Sequence, residues 1–390
     1  MEHSFVLKKV QLPETLDDTR AISKSPFLCT IFEKIVVKWL LEVIGPKIDW
    51  AQYGGVKGCS ISHLMSELVT YIMYNLDIKK KQGVILTAID YSKAFNRQSH
   101  NNFLILLWKM GVPGWLLNII LGFLRDRKMV MSFNDGISNV KNMPGGGPAG
   151  TTLGLIMFVV LINGTANPGE KIEWGKVLSS PVLSRKPIAM THGKMIDDAS
   201  ILESVPMQDV LIKVPDNSFT RPVIRRERLN FILPDHLNKT QAELEKVSNY
   251  ADKNFMQINK KKSKIMFFNP GRRKLDFQPR VKLKNEILNV TEQMRLVGLI
   301  LTDDLKWKKN IENIVRRAYA KLWMLRRLKR MGADSKILKL VYYRHIRSIL
   351  EFGVPVWNGA LTVNESNQIE RVQKIAIHII YGRSLSYRKS

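Results

Sequence analysis

The sequence predicts an α+β chain: a mixed body whose strands pair antiparallel, followed by a basic, helical C-terminal segment. Three observations carry this expectation. Short apolar runs of the kind that form buried strands lie between helical stretches, without the regular strand–helix alternation of a parallel doubly wound sheet. An Asp-Asp pair, Asp197-Asp198, is flanked by the apolar residues Met195, Ile196, Ala199 and Ile201, as at the tip of a hairpin. The last 85 or so residues keep a helical apolar period ringed by Lys and Arg.

Taken in order, residues 28–44 read as a helix through Ile31, Ile35, Trp39 and Leu40, stopped by Gly45-Pro46. Gln52–Gly58 is too glycine-rich for a helix, and a second helix runs from about Ser62 to Asn75. Residues 83–90 are a continuous apolar run ending in Asp90, the pattern of a buried strand that delivers its last residue to a site. Helices over 101–111 and 114–125 are separated by Gly111-Val112-Pro113-Gly114, and the turn Pro144–Pro148 precedes an apolar helix over 151–163. Residues 188–202 read as a hairpin, Ile188–Met190 out and Ala199–Leu202 back. Glu203–Asn238 lacks periodicity and reads as a surface insertion.

A helix over 241–257 uses Leu244, Val247, Ala251 and Phe255, and short strands follow near 264–268, 281–283 and 295–301. Beyond 301, Ile311, Ile314, Val315, Ala318, Leu322 and Leu325 form one helix face. A further helix, capped by Asp334 or Ser335, runs to about Leu350. Trp307, Trp323 and Trp357 are expected in the core of this segment, and His192 beside the hairpin is expected to be structural.

The charge separates these parts. The 390 residues carry 61 Lys and Arg against 34 Asp and Glu, a net +27. Residues 260–350 hold 25 of the basic and 7 of the acidic residues, about two thirds of the excess. Such segregation points to a polyanionic partner gripped by the back of the chain, with chemistry in the nearly balanced front. Cys29 and Cys59 permit at most one disulfide and offer no zinc spacing, which points to a reducing compartment. The longest apolar run, Leu153 to Asn163, is about half of a membrane span, and the first ten residues are no signal peptide, so neither membrane insertion nor secretion is expected.

The candidate chemistry is three carboxylates from two places, Asp90 and Asp197-Asp198. Adjacent carboxylates in apolar surroundings repel and lose hydration unless a cation neutralises them, which two Mg²⁺ ions about 3.5–4 Å apart would do. Asp-Asp pairs also occur in ordinary turns, as Asp17-Asp18 and Asp303-Asp304 do here, so spacing alone leaves both readings open. Gly145–Gly147 and Gly150 fit either a close backbone approach or a flexible link between helices.

Together these residues resemble the reverse transcriptases of non-LTR (LINE-type) retrotransposons, over nearly the whole chain. Ala88–Phe95 is similar to the motif with the first catalytic aspartate, Gly147–Leu153 to the glycine-rich template and nucleotide motif, and Met195–Asp198 to the aromatic-x-Asp-Asp signature. Asn259–Lys264 and Leu296-Val297-Gly298 resemble the next motif and the primer-grip hairpin. Arg20–Ser23, Gln52-Tyr53-Gly54 and Trp357-Asn358-Gly359 resemble flanking patterns, and the order agrees throughout.

The resemblance implies a right-handed polymerase fold, with fingers and palm over residues 1–300, an insertion at about 203–238, and a basic helical thumb and C-terminal segment over 301–390. It implies fingers truncated at the N-terminus. Asp90, Asp197 and Asp198 would be the catalytic residues and the ligands of two Mg²⁺. Arg20, Tyr91, Ala94, Phe95, Ala149, Gly150 and Lys262 would bind substrate, Phe95 as the floor that excludes a 2′-hydroxyl and Lys262 as a proton donor to pyrophosphate. Gly298, Arg316, Arg317, Lys321, Arg326, Arg327, Lys329 and Arg330 would hold nucleic acid. The implied partners are an RNA template, a DNA primer and dNTPs, in a ribonucleoprotein with the element's RNA, nuclear and cytoplasmic. Three positions depart from the family pattern: Ala149 stands for the usual glutamine, Asn96 for an aspartate and Met195 for an aromatic. They motivate an alternative, a catalytically inactive nucleic-acid-binding remnant.

Overall fold

The computed structural model describes residues 2–8, 19–77, 82–92, 95–133, 136–147, 150–165, 192–195, 198–206, 239–269 and 279–382. In chain order the front half runs β1 (Glu2–Lys8), β2 (Thr19–Lys24), α1 (Phe27–Ile44), α2 (Ile61–Leu76), β3 (Gln82–Ser92), α3 (His100–Lys109) and α4 (Gly114–Leu124). Then come β4 (Lys128–Phe133), β5 (Gly136–Ile137), β6 (Lys141–Asn142), α5 (Thr152–Ile162), β7 (His192–Met195) and β8 (Asp198–Pro206). The back half has α6 (Lys239–Lys253), β9 (Gln257–Ile258), β10 (Lys264–Phe268), β11 (Lys282–Leu283), β12 (Glu286–Ile287) and β13 (Asn289–Val290). It ends with β14 (Gln293–Leu296), β15 (Leu299–Thr302), α7 (Lys308–Arg330), α8 (Ser335–Tyr342) and α9 (Val363–Tyr381).

Strand β3 is the axis of the central sheet, whose order is β13-β10-β3-β8-β7. Val84, Ile85, Leu86 and Ile89 are all buried, and a strand apolar on both faces must be covered on both. Val84 and Leu86, with Leu202, Met266 and Phe268, pack under α2 and the β14–β15 hairpin. Ile85 and Ile89, with Ile201 and Ile265, pack under Leu244 and Val247 of α6. Helices α1, α3, α4 and α5 form a third cluster around Met157 and Phe158. Ala318, Leu322 and Leu325 of α7 form a fourth with Leu338, Ile346, Val372 and Ala376. The mixed helix-and-sheet architecture and the antiparallel pairing of β3 with β8 and β10 agree with the expected fold class.

Several boundaries differ from the sequence reading. The outward arm of the hairpin is His192–Met195, and Ile188–Met190 lie outside the described residues. The expected insertion does not begin at Glu203, because β8 continues to Pro206 and Glu203 is buried within it. There its carboxylate accepts from the N–H of Thr240 at 2.8 Å and from the Thr240 hydroxyl, satisfying the N-terminal end of α6. Helix α6 stops at Lys253, and Phe255, expected on its apolar face, is exposed with a φ of 58°. Trp307 and Trp357 are core residues, but Trp323 is 54% exposed. A second sheet, in which β1 pairs with β2 antiparallel and with β4 in parallel, was not foreseen, since β1 and β4 are far apart in the chain. Cys29 and Cys59 are free thiols. Among the described residues no helix is long and apolar enough to cross a membrane.

Candidate active site

The ladder between β3 and β8 sets Asp90 directly opposite Asp198. Directly opposed residues of an antiparallel pair project to the same face, with Cα atoms about 4.5–5.5 Å apart. Asp90 shares its face with Val84 and Leu86 but lies at the strand's end, where its side chain is 29% exposed. Asp197 lies outside the described residues, and Asp198 is described by its backbone alone. Among the described residues no group of three or more His, Cys, Asp and Glu stands ready to hold a metal. The backbone register is what brings the two positions together, and the Asp90 carboxylate, at the strand's end, keeps solvent access.

The turn after β9 clamps the backbone of Asp90. The N–H of Asn259 donates to the Asp90 carbonyl at 2.7 Å. The N–H of Asp90 donates to Ser263 Oγ at 3.3 Å, and that hydroxyl donates to the Asn259 carbonyl at 2.9 Å. The same turn brings Lys262 Nζ to 3.9 Å from Asp90 Oδ2 on a side chain that stays 71% exposed, so the lysine is close but solvated.

Next to Asp90, strand alternation sends Tyr91 to the other face. Its ring is buried, edge-on to Phe158 with centroids 6.0 Å apart, and burial pushes its phenol above the usual range. The side chain of Tyr91, a residue expected at the substrate, is thus part of the core. The half-buried Phe95 leans on the same Phe158, centroids 5.9 Å apart, so helix α5 supports it. Ala94 and Ala149 lie outside the described residues, as does the side chain of Arg20, whose backbone is in β2 opposite Leu7.

The glycine turn is docked against the loop after β3, which decides between its two readings. The N–H of Gly146 donates to the Gln98 carbonyl at 2.8 Å and that of Gly147 to the Phe95 carbonyl at 2.7 Å. A Cβ on Gly147 would stand 2.1 Å from Oε1 of the buried Gln98, and one on Gly146, at a φ of +87°, 3.0 Å from the Asn96 carbonyl. Gly150 is exposed at a φ of +102°. At α5, Thr151 accepts from the N–H of Gly154 at 3.2 Å, and the buried Glu33 of α1 accepts from the N–H of Leu153. A carboxylate at a helix N-terminus is favoured by the free amides there.

Sequence reasoning missed the anchor of the Asp-Asp hairpin. Lys194 in β7 is buried with Asp49, their side chains 2% and 5% exposed, and its ammonium donates to the Asp49 carboxylate. It also donates to the carbonyls of Ile162 at 3.4 Å and Asn163 at 3.3 Å, at the end of α5. The N–H of Lys194 donates to Ala51 at 2.9 Å, and that of Tyr53 to Lys194 at 2.8 Å. Desolvation lowers the Lys194 pKa, and the attraction of Asp49 opposes that shift. The available signal was a lysine beside Met195, just before the Asp-Asp pair.

In the basic helix α7, Arg316, Arg317, Lys321, Arg326, Arg327 and Arg330 are exposed, as expected. Lys329 differs. It lies on the side that faces α9, and its ammonium donates to the Ile380 carbonyl at 3.0 Å, near the helix's C-terminal end. Gly298 also differs from an open nucleic-acid contact: at a φ of +93° it sits against Phe352, whose ring a Cβ would approach to 3.0 Å.

No protein-family model matches the chain. Two curated relatives from Drosophila melanogaster do. A probable RNA-directed DNA polymerase from transposon BS is 20% identical over 376 residues, 94% of this chain and 36% of that protein. A second, from transposon X-element, is 20% identical over 370 residues, 93% of this chain and 35% of that protein. The chain thus spans about a third of the length of these relatives and is similar to them over nearly all of its own. Among solved structures, apo telomerase from Candida tropicalis is similar with a TM-score of 0.46 at 11% identity, over 96% of this chain and 60% of that one. Telomerase from Candida albicans, in complex with a fragment of telomeric RNA, gives 0.42 at 12% identity, over 99% and 65%. These two likenesses are too loose to bear on function.

Proposed function

We propose that the chain is the polymerase segment of a non-LTR retrotransposon reverse transcriptase, with fingers and palm over residues 1–300 and a thumb over 301–390. The reaction is transfer of a deoxynucleotide from a dNTP to a primer 3′-hydroxyl on an RNA template. The observation that carries this reading is the register that opposes Asp90 to Asp198 at the open end of a buried strand; the two transposon relatives support it. Asp90, Asp197 and Asp198 would hold two Mg²⁺, which when bound supply an activated hydroxyl and neutralise charge on the triphosphate. The chain's own residues do the rest. Lys262, beside Asp90, offers an ammonium proton to the leaving pyrophosphate. Phe95, braced by Phe158, presents a rigid ring where a 2′-hydroxyl would sit. The exposed guanidinium groups of α7 hold phosphates without reading sequence.

Primer extension on an RNA template with Mg²⁺, comparing the wild-type chain with Asp197→Asn, tests the reading. Loss of extension by orders of magnitude is expected, because a carboxylate is removed where charge develops. Equal incorporation by the two proteins defeats the assignment. The second reading, an inactive nucleic-acid-binding remnant, is favoured by Asn96, Ala149 and Met195. Salt-sensitive RNA binding without extension, unrescued by Ala149→Gln, would establish it instead.

A further inference from the structure

We infer that the outer face of α7 is a binding surface for a single nucleic-acid strand on which Trp323 stacks a base. Arg316, Ala320, Trp323, Arg327 and Arg330 recur at alternating intervals of four and three residues and are all exposed. That spacing makes one stripe of the helix. It lies opposite the buried Ile311, Ile314, Ala318, Leu322 and Leu325. Trp323 is 54% exposed in the middle of it, although tryptophan is an expensive residue to leave in water. Glu312 is the helix's only acid, and Lys309 already pairs with it at 3.7 Å. From Asn313 to Arg330 the helix carries cations alone among its charged residues.

The charge selects the occupant. A protein partner burying Trp323 would have to neutralise three guanidinium groups in the same stripe, whereas a nucleic-acid strand supplies a phosphate for each and a flat base for the indole. Aromatic stacking combined with a cationic track is how strands are held without sequence preference. From Arg316 to Arg330 the stripe is about 21 Å long. The inference needs no catalysis; it shares with the polymerase reading the polyanionic partner and the guanidinium groups of α7, and adds the base on Trp323.

The test is binding by the full chain to an oligothymidylate strand and to an abasic strand with the same number of phosphates, across a salt series. Trp323→Ala should lose about 5- to 150-fold in affinity for oligothymidylate. Trp323→Phe should keep most of it, and neither variant should change binding of the abasic strand. Arg327→Gln should weaken both strands alike and flatten the log–log salt slope by about 0.7. Oligothymidylate binding unchanged in Trp323→Ala overturns the inference. So does an equal loss on both strands, which would make Trp323 structural, and so does a change in oligomeric state without a base-dependent loss. Base-dependent binding by a chain that fails to extend a primer would sink the polymerase reading and leave this inference intact.

Discussion

Replacing Lys194 by Met breaks the ion pair that ties the Asp-Asp hairpin to the body of the protein. The ammonium leaves, and the Asp49 carboxylate, 5% exposed, keeps the Ala51 N–H at 3.0 Å on Oδ1 as its remaining neighbour donor at that turn. Removing one partner of a buried pair strands the other charge, at a cost of about 3–5 kcal/mol. The carbonyls of Ile162 and Asn163 lose a donor as well. Urea unfolding should show this as a lower midpoint with an unchanged slope. Lys194→Met/Asp49→Leu should cost less than Lys194→Met alone, because no uncompensated charge remains buried.

The pH dependence has a definite sign. Burial holds the folded pKa of Lys194 below the usual 10.5, so the unfolded chain binds that proton more tightly. Wild-type stability relative to Lys194→Met should therefore rise with pH in the window just below 10.5. A single-variant cost under about 1 kcal/mol, or a double variant costing the sum of the two singles, would refute the reasoning.

Three further outcomes are expected. Gly147→Ala should cost about 1–3 kcal/mol by thermal unfolding, because its Cβ meets a buried Gln98 that has little room to retreat; Gly147→Ala combined with Gln98→Ala should recover part of that loss. Glu203 has a pKa raised by burial, against the lowering effect of Thr240, so its folded form is favoured while protonated. Wild-type stability relative to Glu203→Gln should then fall as pH rises from 4.5, read by urea midpoints across a pH series. Lys329→Met should lower stability by about 0.5–1.5 kcal/mol through its lost bond to Ile380 while leaving the salt slope of nucleic-acid binding unchanged, the reverse of Arg316→Gln.

What the amino-acid sequence determined by itself is local. The period of α1, α2 and α7, the continuous apolar run of β3 and the glycine punctuation before α5 each follow from neighbours a few residues away, and the elements formed where those patterns lie. The ordered motifs likewise singled out Asp90, the Asp197-Asp198 pair and Lys262 before any contact was known. What the tertiary structure decided is every feature set by residues distant in the chain. The register opposing Asp90 to Asp198 depends on strand pairing, and a slip of one residue would turn the pair to opposite faces. The parallel match of β1 with β4 has no local signature, and Glu203 continues a strand because α6 offers it Thr240. The sequence reading set Tyr91 at the substrate and Trp323 in the core, yet Phe158 covers the first and solvent meets the second. Lys194 drew no reading from the sequence, and it is spent on Asp49 because burial makes an unmade hydrogen bond costly, while Lys329, expected on nucleic acid, donates to Ile380. A side chain's type fixes what it can bond, and only the packing around it fixes which partner it meets.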